Sequence, residues 1–256
     1  MTLSIDLNAD AGESFGRWKL GNDEELFDVV STVNIACGYH AGDPVNMRKA
    51  VVGARDADCA IGAHPGYPDL LGFGRRAIPA KLTDTVDYVL YQVGALAAIA
   101  ADEGVTLSHV KPHGSLMGTT VRDAELAVAM ARAIQSVQTG IPLVMSPGPA
   151  MDAVVRAGLP VTPENAADLD FDDNGFNVIE PVPAEKDPEA VATRALQMAH
   201  GSVETVSGAT IAMPVTSICI HGDRPNAVAV AAAVRRRLES EGVAVRPVER
   251  RAGLPA

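Results

Sequence analysis

Four of the six histidines occupy equivalent positions, each where a short apolar run meets glycine or proline. They are His40 in IACGYHAG, His64 in AIGAHPG, His113 in HVKPHG and His221 in SICIHGD. An apolar run that ends in a glycine turn and a polar residue is how α/β enzymes place catalytic groups at the carboxyl ends of strands. Imidazole serves general acid–base catalysis and binds divalent metals, so this repeated placement predicts an enzyme site.

Polar residues also alternate along the first apolar run, as Asp6, Asn8 and Asp10. Alternate side chains of a strand share one face, so we expect all three to line the same site. Lys111 stands two residues before His113, where an ammonium group would stabilise an oxyanion or contact a phosphate.

A rim of carboxylates and imidazoles also suits a divalent metal. The candidate ligands for such a metal are Asp10, His40 and His64. The sequence leaves open whether a metal or acid–base chemistry alone uses these groups.

A long loop follows His64 and carries the pair Arg75 and Arg76 in a glycine-rich setting. Loops of this length in compact domains are usually functional or disordered, and the apolar content of this one disfavours disorder. We therefore expect the two guanidinium groups to help bind an anionic substrate.

Other polar residues favour structural roles. His109 falls inside an apolar run and His200 near a helix end, so neither is expected in the site. Asp43 precedes Pro44 and is expected to cap a helix. Cys37 lies three residues before His40, but a small buried strand residue is the expectation for it rather than a nucleophile.

The elements that would position these groups alternate between strand and helix. The apolar runs predict strands at Leu3–Asn8, Thr32–Cys37, Cys59–Ala63, Leu107–Lys111, Pro142–Met145, Leu159–Thr162 and Thr216–Ile220, with a further short strand at Val243–Val248. Helical periodicity is expected over Asp23–Ser31, Asp43–Asp56, Thr83–Glu103 (with Thr83 as its cap), Asp123–Val137, Asp187–Gly201 and Pro225–Gly242.

Seven strand–turn–helix units predict one α/β domain over residues 1–256, a closed or nearly closed parallel β/α barrel. An open doubly wound sheet is the alternative, weakened because no nucleotide-binding glycine motif follows the first strand. Residues 163–185 are expected to form an irregular acidic loop, and residues 249–256 a frayed tail.

Composition narrows the class of partner. The net charge of -11 argues against nucleic acid or an anionic membrane surface. No apolar run approaches a membrane span, and the start MTLSIDLNAD lacks the basic region of a signal peptide. Three scattered cysteines without a CxxC pair fit a reducing cytoplasm.

Six segments, in this order, resemble the LamB/YcsF family, which is the family of the 5-oxoprolinase A subunit. They are IDLNADAGESFGRWKLGNDEEL, VNIACGYHAGDP, AIGAHPGYPDLLGFGRR, YQVGALAAIA, HVKPHGSL and CIHGD. The resemblance covers nearly the whole chain except about residues 142–210.

The resemblance implies a seven-stranded β/α barrel similar to the glycoside hydrolase/deacetylase superfamily. It also implies ATP-dependent opening of the lactam 5-oxo-L-proline (pyroglutamate) to L-glutamate, together with two further subunits, B and C. The residues that it implies for the site are Asp6, Asn8, Asp10, His40, His64, Lys111, His113 and His221.

The sequence departs from the family pattern in two places. Met117 and Gly118 stand where the family usually has a Tyr-Asn pair. Two arginine-containing phrases expected after the sixth strand are absent, and the interval between Arg156 and Lys186 holds seven acidic residues and no Lys or Arg. These departures bear on how the chain would handle phosphate and on which lactam or amide it accepts.

Overall fold

The computed structural model describes residues 3–180 and 182–248. The strands in that part of the chain are β1 Ser4–Ala11, β2 Thr32–Ala36, β3 Ala60–His64, β4 His109–Val110, β5 Leu143–Met145, β6 Val161–Ala166, β7 Asp170–Phe171, β8 Asn177–Val178, β9 Ser202–Glu204, β10 Thr210–Ala212, β11 Ser217–Ile220 and β12 Ala244–Val245. The α-helices are α1 Asp23–Phe27, α2 Pro44–Asp56, α3 Leu82–Asp102, α4 Gly114–Thr120, α5 Ala124–Ala133, α6 Pro149–Arg156, α7 Pro188–Ala199 and α8 Ala227–Ser240.

Seven parallel strands close into a barrel. The order is β1-β2-β3-β4-β5-β6-β11, and β11 pairs with β1 through Asp6 opposite Ser217 and Ala9 opposite Ile220. The open-sheet alternative is therefore wrong, and the predicted barrel is confirmed. The last strand, β12, adds to the outside of β1 at its amino end.

Strand β1 shows how the barrel divides polar from apolar side chains. Leu7 and Ala9 belong to the hydrophobic core between the strands and the surrounding helices. Asp6, Asn8 and Asp10 alternate with them and form hydrogen bonds with side chains on the two adjacent strands, β2 and β11. The barrel interior is therefore a polar layer, whereas barrels of this kind usually fill it with branched apolar residues.

Helix α2 follows the site loop after β2 and starts as the sequence predicts. Asp43 Oδ1 accepts bonds from the backbone N–H groups of Val45 (2.9 Å) and Asn46 (3.2 Å), and Pro44 occupies the first turn. The predicted cap of α3 is wrong. Lys81 is the N-cap residue there and makes no side-chain capping bond, because the helix already includes Leu82.

Residues 163–185 differ most from expectation. The sequence predicts an irregular loop there, but the first part of the segment continues strand β6 to Ala166 and its middle forms the β7–β8 hairpin. Glu164 and Asp168 are buried, so the acidic character belongs partly to the barrel interior rather than to a solvated loop. The predicted tail at 249–256 lies outside the described residues.

No helix within residues 3–180 and 182–248 combines the length and apolar character needed to cross a membrane.

Candidate active site

A cavity of about 660 Å³ opens at the carboxyl ends of the barrel strands. Predicted residues that line it are Asp10, His64, Arg75, Lys111, His113 and His221. Six barrel strands or the turns after them contribute to its wall: β1, β3, β4, β5, β6 and β11. The strand-end positions that the sequence predicts are thus brought together by closure of the barrel.

The floor of this cavity carries a buried ion-paired group centred on Lys111. Its Nζ lies 3.1 Å from Asp10 Oδ1, 3.1 Å from Glu164 Oε2 and 2.8 Å from Cys219 Sγ. Burial alone would lower the pKa of Lys111, but the charges of Asp10, Cys219 and Glu164 outweigh it and raise the pKa well above its usual value. Lys111 is therefore a permanent cation inside the site.

The neighbouring positive charge also keeps the Asp10 carboxylate ionised. Burial opposes its charge, but His64 and Lys111 lower the pKa of Asp10 well below its ordinary value. Asn34 Nδ2 donates a 2.8 Å bond to Asp10 Oδ1, and His64 Nε2 lies 3.4 Å from Oδ2. The carboxylate is thereby fixed between an ammonium group and an imidazole.

Three histidines and a glutamate form a second buried group beside it. The rings of His40 and His113 stack with centroids 3.7 Å apart, and His113 Nδ1 lies 3.0 Å from His64 Nε2. Burial, with the neighbouring histidines, lowers the pKa of His40 and His113 well below the usual imidazole value, so both are neutral. Burial also raises the pKa of Glu13 well above its usual value, with Asp10 and Asp223 adding to the effect.

His221 belongs to a separate set of contacts at the carboxyl end of β11. Its Nδ1 lies 2.9 Å from Asp168 Oδ1, and Arg224 Nε donates to Asp168 Oδ2 at 2.6 Å. Burial lowers the pKa of His221, but Asp168 outweighs this and raises it above the usual value. His221 therefore carries a positive charge more readily than an unperturbed imidazole.

The two neighbouring arginines differ in position. Arg75 lines the cavity, where its Nη2 pairs with Asp223 Oδ2 at 2.8 Å. Arg76 instead pairs with Asp69, away from the cavity lining, and most of its side chain is exposed. The structure thus places only Arg75 where an anionic substrate would meet it.

Asp6 and Asn8 lie lower in the barrel than expected. Asp6 accepts hydrogen bonds from Ser31, Thr32 and Ser217, and Asn8 donates to Ser217. Both line a second cavity, of about 780 Å³, at the amino end of the strands, so they do not share the upper cavity with Asp10. Asn8 still reaches the site through its Oδ1, which lies 3.3 Å from Lys111 Nζ.

The candidate metal ligands are divided between two groups. Glu13, His40, His64 and His113 each offer a donor atom within 4.8 Å of the others, while Asp10 belongs with Cys219 and His221. Both groups are compatible with a divalent metal. The predicted combination of Asp10, His40 and His64 is therefore not one group, although His64 borders both.

The residues expected to be structural occupy such positions. His109 lies in the barrel interior, with Nε2 2.6 Å from Asn34 Oδ1, and exposed His200 follows helix α7. Burial raises the pKa of Cys37 to about 12, which keeps the thiol protonated and a poor nucleophile.

Several site residues are not predicted by the sequence pattern. Glu164, Asp168, Cys219 and Arg224 line the site or support its members. Glu164 and Asp168 lie in the segment that the sequence predicts to be a loop. Cys219 lies in strand β11 two residues before His221, and that alternating spacing could have placed it on the inner face.

Comparison with known proteins decides the family. Residues 5–253 match the LamB/YcsF family. The chain belongs to the LamB/YcsF family. Among its relatives, the 5-oxoprolinase A subunit of Thermus thermophilus is 45% identical, covering 95% of this chain and 99% of that protein. The corresponding protein of Thermococcus sibiricus, which has the same name, is 43% identical, covering 95% of this chain and 97% of its own length.

Solved structures agree with this family membership. A lactam utilization protein from Thermus thermophilus superposes with a TM-score of 0.87 at 44% identity, covering 95% of this chain and 99% of that one. A family 4 carbohydrate esterase from Streptomyces lividans superposes with a TM-score of 0.52 at 15% identity, covering 98% and 95%. At that identity the esterase shows a shared fold alone, as the deacetylase resemblance of the barrel predicts.

Proposed function

We propose that this chain is the A subunit of an ATP-dependent 5-oxoprolinase. The reaction would open 5-oxo-L-proline to L-glutamate and convert ATP to ADP and phosphate, in a complex with subunits B and C. The observation that carries the proposal is identity of 43–45% over 95% of the chain with proteins named as this subunit of 5-oxoprolinase. The three unpaired cysteines are consistent with a cytoplasmic location.

The chemistry of the substrate explains why ATP is needed. A five-membered lactam is an unreactive amide, and its hydrolysis is nearly balanced in free energy. Transfer of a phosphoryl group to the amide oxygen gives a better electrophile and couples the ring opening to ATP. Water then adds to the carbonyl carbon and the ring C–N bond breaks as the nitrogen takes up a proton, which gives an acyl phosphate. A second water hydrolyses this acyl phosphate to the glutamate side-chain carboxylate and free phosphate. Such a site needs a base, cations and donors for the substrate carboxylate.

The cavity contains groups suited to each of these tasks. Asp10 is ionised and lines the cavity, so its carboxylate is the group suited to take the proton from water. Lys111 and His221 supply positive charge for the developing oxyanion or phosphate. Arg75 can leave Asp223 and receive the carboxylate of 5-oxoproline.

A coupled assay of ADP and glutamate release with 5-oxo-L-proline tests the proposal. The chain is assayed alone and with subunits B and C, and we expect activity only when the partners and ATP are both present. Asp10→Asn should abolish glutamate release while the complex still assembles, and His200→Ala, on the exposed end of α7, should retain it. Glutamate release by the chain alone would contradict the need for partners.

A specific variant of this proposal is that the substrate is a related lactam or amide. Met117 and Gly118, which replace the usual Tyr-Asn pair, line the cavity together with Phe176 and Ile179 from the acidic segment. This wall is more apolar than the family pattern implies. If the assembled complex releases no ADP with 5-oxoproline, larger lactams and amides are screened with the same ADP readout. The screen decides between 5-oxoproline and a larger substrate.

A metal-dependent deacetylase or amide hydrolase that needs no ATP is the second candidate. The buried histidine and carboxylate groups favour it, since they could hold a Zn²⁺ that activates water. Amide hydrolysis without ATP that is lost on chelation and restored by Zn²⁺ would support this candidate and contradict the first.

A further inference from the structure

His64 and His113 each direct one ring nitrogen at the other. His64 Nδ1 is 2.7 Å from the carbonyl oxygen of Lys111, and His113 Nε2 is 2.7 Å from that of Phe73. A carbonyl oxygen only accepts, so these two nitrogens carry the ring protons and donate them. In a neutral imidazole the other nitrogen then holds a lone pair. His64 Nε2 and His113 Nδ1, the two that remain, are 3.0 Å apart.

The other members of the group add further buried polar atoms that lack a hydrogen-bond partner. Glu13 Oε1 is buried and has no hydrogen-bond partner, and neither ring nitrogen of His40 has one. Glu13 Oε1 lies 3.5 Å from His40 Nε2 and 3.9 Å from His113 Nδ1. Buried polar atoms of native proteins are nearly always satisfied, so a cluster of this kind indicates a missing cation.

The spacing of these atoms matches a metal ion. Ligands at about 2.0–2.1 Å around a tetrahedral centre lie about 3.4 Å from one another. The separations here of 3.0, 3.5 and 3.9 Å fall on either side of that value. Backbone carbonyls that hold the far N–H groups of His64 and His113 fix the tautomers that a metal requires.

We propose that Glu13, His40, His64 and His113 bind one divalent transition metal ion such as Zn²⁺. Three imidazole nitrogens and one carboxylate oxygen are a ligand set that zinc and its neighbours favour. His64 and His113 line the upper cavity, whereas Glu13 and His40 lie behind them, so the ion reaches the substrate space from one side. The inference does not depend on the identity of the substrate.

Of the four proposed ligands, His40 has the least favourable ring orientation for binding a shared ion. Its ring is parallel to that of His113 within 6°, so the in-plane lone pairs of the two rings run side by side. One ring must tilt before both can reach the same ion. We therefore expect the loss of His40 to weaken binding less than the loss of His64 or His113.

Direct metal binding tests the proposal without an activity assay. The chain is stripped with a chelator and titrated with Co²⁺, whose visible absorption reports coordination, and Zn²⁺ is then used in competition. We expect one equivalent bound by the wild type and binding weakened more than about 100-fold in His113→Ala, because outer-shell changes alone cost about 10–100-fold. His200→Ala, which removes an exposed histidine, should bind as the wild type does.

Glu13→Gln keeps the shape of the side chain. It therefore tests the proposal even if the histidine variants do not fold. Bound Zn²⁺ should raise the thermal midpoint of the wild type and raise that of Glu13→Gln much less. Absence of a bound equivalent in the wild type overturns the proposal in favour of a proton shared by His64 and His113. Binding that survives in Glu13→Gln and His113→Ala but is lost in Cys219→Ser also overturns it, because the ion would then lie with Asp10 and His221.

Discussion

Lys111 and Asp10 form an ion pair inside the barrel, with 3.1 Å between Nζ and Oδ1. Each shifts the pKa of the other toward the charged form, and Glu164 adds a second carboxylate to the same ammonium group. Polar groups of the lumen, Asn8 and Asn34, complete the contacts. The pair lies where the polar interior of the barrel meets the cavity at the carboxyl ends of the strands.

Removing the ammonium group should destabilise the fold as well as the site. Lys111→Met leaves Asp10 and Glu164 buried without a counter-charge, so we expect the free energy of unfolding to fall by about 3–5 kcal/mol. Urea unfolding measures this. The double variant with Asp10→Asn should recover part of the loss, and a single variant as stable as the wild type would contradict a tightly coupled pair.

The Asp168 carboxylate should contribute a defined pH dependence. Burial opposes its ionisation, but His221 and Arg224 lower the pKa of Asp168 below the ordinary 3.8. Because the folded pKa is depressed, its stabilisation is present above pH 3.8 and is lost as pH falls through the folded pKa. Asp168→Asn should be less stable at neutral pH by about 1–3 kcal/mol and lose less stability on acidification.

Unfolding followed by circular dichroism from about pH 7 to about pH 2.5 checks this expectation. Asp152→Asn, an exposed substitution in the first turn of α6, is the control and should follow the wild type. An unchanged pH profile in Asp168→Asn would contradict the assignment.

Arg75 and Arg76 provide a matched test of anion binding. Arg75→Gln removes the guanidinium group at the cavity wall, so we expect KM for the anionic substrate to rise about 10–100-fold, as for loss of a charged hydrogen bond. Arg76→Gln breaks only the pair with Asp69 and should leave KM near the wild-type value. Steady-state kinetics of the assembled complex measures both, and equal effects would contradict the distinction.

Gly74 is expected to hold the histidine rings in place. Its φ of 64° favours glycine, and a Cβ there would stand 2.7 Å from both His113 Cδ2 and His40 Cβ. Gly140→Ala, with φ of 79° and no atom within 4 Å of the new Cβ, carries the backbone strain alone. Both variants should lose about 1–2 kcal/mol from the left-handed backbone.

Only Gly74→Ala should also displace the rings. Thermal unfolding and Co²⁺ absorption separate the two effects, since ring displacement would alter the metal spectrum and backbone strain at Gly140 would not. Identical spectra for Gly74→Ala and the wild type would show that the rings tolerate the added methyl group.

The sequence alone determined the alternation of strands and helices and the placing of histidines at the strand ends. Apolar runs that end in glycine, as before His40 and His221, are local patterns, and parallel strands bring their carboxyl ends to one face. Asp43 as a helix cap is equally local, because its partners are two and three residues away.

Only the tertiary structure decided which polar residues share the site. Asp6 and Asp10 alternate on one face of β1, but four residues of strand separate them by about 13 Å, so they face different cavities. Glu164 meets Lys111 because β6 extends past its apolar run, and Asp168 meets His221 across 53 residues of chain. Such contacts depend on strand register and barrel closure, which no local pattern encodes.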